Sequence, residues 1–233
     1  TDVSLDGTWL FMPEYQLNDK DKAISVATDD KNWHVMSVPD FWNPIRIWLH
    51  GETMPSATGP QPKGVSDTYY QQETERCEGY TFDYRKTKAA WYRQWVELPA
   101  NVEGKNMTLT FDAVSKVAEI YINGELAGSH IGMFGEIQVD GSKLLKSGKN
   151  LVVVKVVSKT DGSASESGSA AIDFFYSSVR ESEKEDGKVS AKSNLLKDIA
   201  HGFYGDEPAG IWQPVKLTIT SPLKVENVFI KPS

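Results

Sequence analysis

The sequence predicts an all-β fold, a β-sandwich or jelly roll with long loop inserts and one or two short helices. Apolar residues recur at every second position in many short runs, an Asn-Gly pair joins two of these runs, and helical periodicity is confined to brief stretches. Strands are expected at Gly7–Pro13, Trp33–Val38, Ala90–Leu98, Asn106–Val114, Lys116–Asn123, Glu125–Ile131, Gly135–Val139, Asn150–Ser158, Ile211–Thr220 and Val225–Ile230.

Met107, Leu109 and Phe111 are separated by Thr108 and Thr110, which puts the apolar side chains on one face of a strand and the threonines on the other. Ala118, Ile120 and Ile122 alternate with Val117, Glu119 and Tyr121 in the same way. Asn123-Gly124 follows, a pair that tolerates the positive φ angles of a two-residue turn, so a hairpin is expected over 116–130. Asp140 to Leu145 reads as one helical turn with an acidic or serine cap, broken by Ser147 to Asn150. Leu151 to Val157 is apolar and β-branched except at Lys155, the pattern of a strand covered on both faces.

Two long inserts interrupt these runs. Asp40–Lys88 is rich in Gly, Pro, aromatic and polar residues, and an irregular segment of that length is functional or carries short structure of its own. Lys159–Gly210 opens on TDGSASESGSA, passes through the charged ESEKEDGK, and holds a helical pattern at Ser193–Ala200 capped by Ser193 or Asn194. After Thr220, Ser221-Pro222-Leu223 is a linker-like break, and Lys224 to Ile230 alternates like a strand whose partner is missing from the chain.

At 233 residues the chain suits one large β domain as well as two small ones. No run approaches the roughly 18 apolar residues of a membrane-spanning helix. With 25 basic against 32 acidic side chains the formal charge is −7, which removes the electrostatic case for nucleic acid or an anionic membrane and favours a neutral ligand. The lone Cys77 rules out an internal disulfide and multi-cysteine zinc patterns. Nucleophile-elbow, zincin, P-loop and dinucleotide-binding motifs are missing from the sequence. His34, His50, His130 and His201 are scattered; neither His50 with Glu52 nor His201 with Asp206 and Glu207 has an established ligand spacing, so no metal or cofactor is expected. Trp9, Trp33, Trp91, Trp95 and Trp212 fall in expected strands and read as core, whereas Trp42 and Trp48 fall outside them.

Four phrases combine into a wider pattern: AAWYRQWVELP, NMTLTFDAVSKVAEIYINGELAGSH, DGSKLLKSGKNLVVVKVVS and, at Gly210 to Thr220, GIWQPVKLTIT. Together they resemble the N-terminal sugar-binding domain of glycoside hydrolase family 2, the family of β-galactosidases, β-glucuronidases and β-mannosidases. The family run D-x-T-x-L-L-x-x-G-x-N is matched from Asp140 to Asn150, with Ser142 in place of the threonine. The resemblance implies a galactose-binding-domain-like jelly roll over 1–220. It also implies that 221–233 is a linker and the first strand of a following immunoglobulin-like domain, in a chain that is a fragment of a longer protein. Retaining hydrolysis needs two carboxylates ~5 Å apart, and the family's catalytic glutamates lie on a (β/α)₈ barrel outside this region. No catalytic residue is therefore assigned; the fragment alone is expected to be inactive and its parent a glycoside hydrolase. Export is common in the family and the chain opens Thr-Asp-Val without a leader, so a periplasmic or secreted location is expected.

In the family, two loops of this domain touch the substrate sugar. The first follows Val38-Pro39, where the family tryptophan matches Trp42; the asparagine used by some β-galactosidases falls at Phe41, with Asn43 two places along. Trp42 and Trp48 either stack on the C–H face of a sugar or pin the insert to the sandwich. The second loop precedes Gly210-Ile211-Trp212. An aspartate six residues before that glycine binds sugar in many relatives, and Tyr204 stands there in this chain. Asp206 and Glu207 are the nearest acids, placed either to replace it in a remodelled loop or to form a solvated turn before Pro208. Gln213-Pro214 replaces the commoner arginine and its neighbour. The candidate substrate-binding residues are thus Trp42, Asn43, Trp48, Tyr204, Asp206 and Glu207, with a carbohydrate and the downstream domains of the same polypeptide as partners. Three functions stay open: an accessory domain that shapes a glycosidase pocket, an autonomous carbohydrate-binding module, and a structural or interaction jelly roll.

Overall fold

A computed structural model of the chain describes residues 1–44, 46–47, 65–158, 203–204 and 209–222. In chain order the strands are β1 (Asp2–Ser4), β2 (Gly7–Pro13), β3 (His34–Val38), β4 (Arg46–Ile47), β5 (Ala89–Leu98), β6 (Asn106–Phe111), β7 (Val114–Ser115), β8 (Val117–Ile122), β9 (Glu125–Ile131), β10 (Ile137–Asp140), β11 (Gly148–Val157), β12 (Phe203–Tyr204), β13 (Gly210–Ile211) and β14 (Val215–Thr220). The α-helices of the described residues are α1 (Asp21–Ile24) and α2 (Val65–Glu78). A six-stranded antiparallel sheet in the order β3-β2-β5-β11-β8-β9 packs on a four-stranded one in the order β1-β14-β6-β10, and the short pairs β13-β7 and β12-β4 complete the set. This is the expected β-sandwich.

The period-2 alternation read from the sequence sets the core. Met107, Leu109 and Phe111 of β6 join Leu217 of β14 on the inner face of the small sheet, and meet Phe11, Tyr92, Ile120 and Val154 of the large sheet in one buried cluster. The Phe11 and Tyr92 rings meet edge to face, with centroids 5.0 Å apart. β11 is covered on both sides, as its valine run predicts. Val152, Val154 and Val156 face the main core, while Leu151 and Val153 pack with Ala23 and Trp91 beneath Leu17, Ile24 and Trp33. Each such side chain removed from water contributes about 1.5–3 kcal/mol.

The same outer layer explains two buried cations. Lys155, 2% exposed, lies 3.2 Å from Glu14 and over the Trp91 ring, so its charge is paired within the layer. Arg93 is fully buried; its guanidinium donates to the carbonyls of Ala23 at 2.6 Å and Ser25 at 3.1 Å and to Asp30 Oδ2 at 3.3 Å. It thereby satisfies carbonyls that the one-turn helix α1 leaves open at its C-terminal end.

The expected hairpin forms, with Asn123 at φ 53° and Gly124 at φ 92°. Asn123 does more than turn the chain: its side chain donates to Leu144 O at 2.8 Å and Asn150 Oδ1 at 2.9 Å, and accepts from Leu151 N at 2.9 Å. The expected turn at Asp140 is a single one, closed by Leu145 N donating to Gly141 O, with Asp140 accepting from Ser142 N. Two expected strands are each broken in the structure. Asn106–Val114 divides into β6 and β7, and Ile211–Thr220 into β13 and β14, because β14 pairs with β6 while β13 pairs with β7. The two breaks fall side by side, at Asp112-Ala113 and at Trp212-Gln213-Pro214, where Asp112 N donates to Pro214 O. The first insert carries α2, whose polar sequence has no apolar stripe to announce it. The expected helix at Ser193–Ala200 and the expected strand at Val225–Ile230 lie outside the described residues.

Candidate functional site

Where they are described, both loops singled out in the sequence meet at one end of the sandwich. Asp40 N donates to Ile211 O and Trp42 N to Ala209 O, each at 2.9 Å, so residues 40–42 run as an extended partner of 209–211. Further out β4 pairs with β12, in the register Arg46↔Tyr204 and Ile47↔Phe203. One glycine permits the close approach. Gly210 has φ +145°, and a Cβ there would stand 2.5 Å from Asp40 O and 3.2 Å from the buried Tyr92 Oη. Only glycine fits both the backbone angle and the space.

A polar latch holds the first loop to α2. Arg76 donates to Asp40 Oδ2 at 2.9 Å, to Phe41 O at 3.1 Å and to Glu73 Oε2 at 2.6 Å, and it also donates to the Tyr80 hydroxyl. Asp40 Oδ1 accepts from Phe41 N at 2.7 Å. Partial burial pushes the Asp40 carboxyl above its ordinary range, with the Arg76 charge and the Phe41 N–H opposing the shift. Burial raises the Cys77 thiol to about 11, with Arg76 opposing it. The guanidinium is therefore engaged by two carboxylates and a backbone carbonyl.

Beside the latch three aromatic rings meet. Phe41 stacks on Trp212, with centroids 5.5 Å apart and planes 14° from parallel, and Phe134 meets Trp212 edge to face at 5.9 Å and 88°. Trp212 Nε1 donates to Met133 O at 3.0 Å. Trp212 therefore departs from its reading as a core strand residue. It stands one position past β13 in the strand break and is half-buried, because Pro214 has no N–H with which to continue the ladder.

The structure also corrects the sugar-stacking reading of Trp42. That side chain has no exposed surface; it packs against Phe11 and Tyr92, and its Nε1 donates to Thr87 O at 3.2 Å. It pins the insert to the sandwich. Asn43 is nearly buried beside it in sequence, and Tyr204 contributes its backbone to β12. Trp48, Asp206 and Glu207 lie outside the described residues, as do His50, Glu52 and His201. Among the described residues, no group of three or more His, Cys, Asp or Glu side chains is gathered to hold a metal, and no helix is long and apolar enough to cross a membrane. Sequence reasoning missed Arg76, Phe134 and the solvent-facing position of Trp212. Pro214 signals the strand break, and Gly132 and Gly135 on either side of Met133-Phe134 signal a turn, in which Phe134 faces outward while Met133 is buried.

A jelly-roll β-sandwich with its loops gathered at one end defines a protein of the galactose-binding-like class. The family model for the glycosyl hydrolase 2 galactose-binding domain-like domain matches residues 62–193, and the chain belongs to that family. A putative β-glucuronidase of Formosa agariphila is 27% identical over 69% of this chain and 15% of its own length. A β-galactosidase of Thermoanaerobacter pseudethanolicus is 29% identical over 65% of the chain and 16% of its own length. The chain thus spans only about a sixth of these relatives. Among solved structures, a glycosyl hydrolase family 2 member from Bacteroides cellulosilyticus covers 97% of the chain at TM-score 0.54 and 17% identity, with 22% of its own chain matched. The Bacteroides uniformis β-glucuronidase covers 95% at TM-score 0.53 and 20% identity, with 18% of its own chain matched. At such identities these two structures speak for the fold alone.

Proposed function

We propose that the chain is the non-catalytic N-terminal domain of a family 2 glycoside hydrolase, and that its loop cluster forms one wall of a sugar pocket completed by downstream domains of the same polypeptide. The observation that supports this reading is the backbone register joining Asp40–Trp42 to Ala209–Ile211, and Arg46–Ile47 to Phe203–Tyr204. Loops held in register across the end of a rigid sandwich are positioned to lend side chains to a neighbouring site. The catalytic carboxylates belong to the rest of the parent, whose substrates are β-glycosides such as the glucuronides and galactosides that its relatives' names record. A periplasmic or secreted location is part of the proposal.

The test is to assay the 233-residue chain and its longer parent side by side on nitrophenyl β-galactoside and nitrophenyl β-glucuronide. The parent is expected to turn over at least one substrate while the isolated chain turns over neither. Hydrolysis by the chain alone, or a parent inert towards both, overturns the reading.

A further inference from the structure

Phe134 is an apolar ring that the fold holds out into water. It is 52% exposed, whereas its neighbour Met133 is fully buried. Gly132 at φ +146° and Gly135 at φ +109° bracket the pair, backbone angles that hold the turn in a form L side chains resist. The edge-to-face contact with Trp212 fixes the ring, Trp212 is fixed in turn by its stack on Phe41, and the Trp212 indole N–H is tied to Met133 O. Single exposed apolar side chains are ordinary on a protein surface; what sets this one apart is that ring contacts and the turn's own backbone angles fix its position.

We infer that Phe134 and the outer part of Trp212 form a stacking platform for a pyranose ring, next to the loop cluster. About half of Phe134 is open to water, a surface on the scale of one sugar ring for an aromatic side chain of roughly 150–250 Å². Aromatic faces bind the C–H surface of sugars, and polar neighbours then select among hydroxyls; Glu136 and Gln213 lie within two residues of the two rings. The ligand class is a neutral sugar. Asp40 stands beside Phe41 and Glu136 beside the turn, and the nearby guanidinium of Arg76 is already bonded to Asp40 and Glu73. An open groove on the outer face of the four-stranded sheet, about 310 Å³ and lined by residues such as Thr108, Thr110, Gln138 and Thr218, has no aromatic ring along it. This inference rests on the carbohydrate-binding reading above and adds to it the residues and the class of sugar.

The chain is titrated with methyl β-D-galactopyranoside and with methyl β-D-glucopyranoside while the indole N–H resonance of Trp212 is followed, that resonance being assigned by its loss in Trp212→Phe. At least one sugar is expected to shift it saturably at millimolar concentrations. Phe134→Ala is expected to weaken that binding by about fivefold or more, Phe134→Tyr to retain it, and Leu126→Ala, a change at an exposed side chain of β9, to leave it unaltered. No shift with either sugar at tens of millimolar overturns the platform, as does equal binding by Phe134→Ala. If Phe134→Ala leaves sugar binding unchanged and instead lowers the melting temperature of the parent alone, the ring is a contact between domains and the platform falls. Hydrolysis by the parent is scored separately, so loss of the platform and loss of the glycosidase reading are told apart.

Discussion

The hairpin scaffold from β8 to β11 and the loop cluster around Gly210 are held together by contacts of opposite kinds. In the scaffold, β8 pairs with its sequence neighbour β9 and with β11, and Asn123 closes the hairpin with bonds to Leu144, Asn150 and Leu151. In the loop cluster, Asp40 pairs with Ile211 and Trp42 with Ala209, residues from opposite ends of the chain. The apolar content differs as well: β11 is buried on both faces, whereas Trp212 at the loop cluster is only half-buried and meets the exposed Phe134 of the β9–β10 turn. The scaffold is thus specified locally and redundantly. The cluster depends on a few long-range contacts, each of which is open to single substitution, and local stability is expected to be lower there.

The comparison breaks first at Trp42, which lies in the loop by sequence and in the core by packing. Trp42→Ala is expected to cost about 3–5 kcal/mol in urea unfolding, like a scaffold aromatic. A loss below 1 kcal/mol would return this side chain to the solvent-facing loop. Gly210→Ala comes next, at about 2–4 kcal/mol, from the φ penalty and the clash with Asp40 O. Hydrogen exchange is expected to quicken at the amides of Asp40 and Trp42 and to stay slow along β11. Equal quickening in β11 would mean that cluster and scaffold open as one unit.

The smallest effect expected is a dependence on pH carried by the sandwich rather than the loops. Burial lowers the pKa of His34 and of His130 below 6.5, so as pH falls the unfolded chain takes up these protons first. The stability the two rings contribute is whole above pH 6.5 and is lost as pH falls through their folded values. Asp40, whose pKa is raised by burial, acts with the opposite sign. It adds stability as pH falls through its folded value towards 3.8. A urea midpoint that declines from pH 7 to pH 5.5, less steeply in His34→Gln, fits this sign. A midpoint that rises over the same window contradicts it.

Much of the scaffold was legible in the sequence. β2 and β9 fall on the expected bounds, the Asn-Gly turn adopts its positive φ angles, and the valine strand is covered on both faces as its composition requires. These are rules of period 2 and of turn chemistry, which act over neighbouring residues. The strand break at 112–113 was hidden because it is defined by its partner in the other strand, whereas the one at 212–214 carries a signal in Pro214. Helix α2 was hidden because its polar face carries no periodic signal. For the candidate site, the sequence pointed to both loops and to the pair Trp42 and Asn43, but it misjudged which aromatic residues face water. Of the two tryptophans described there, Trp42 is core and Trp212 reaches the surface, an inversion of the order that strand membership suggested.

By itself the sequence determined the fold class, the hairpin, the buried valine strand and the resemblance to the family, since alternation, Asn-Gly and short fixed spacings act locally and survive without knowledge of the rest of the chain. Only the tertiary structure decided that Gly210 lets the two loops touch, that Arg76 latches Asp40 and the Phe41 carbonyl, and that Phe134 is held outward by Trp212. Each of these is a contact between segments far apart in sequence, and whether a ring is buried or presented depends on what the other segment places against it.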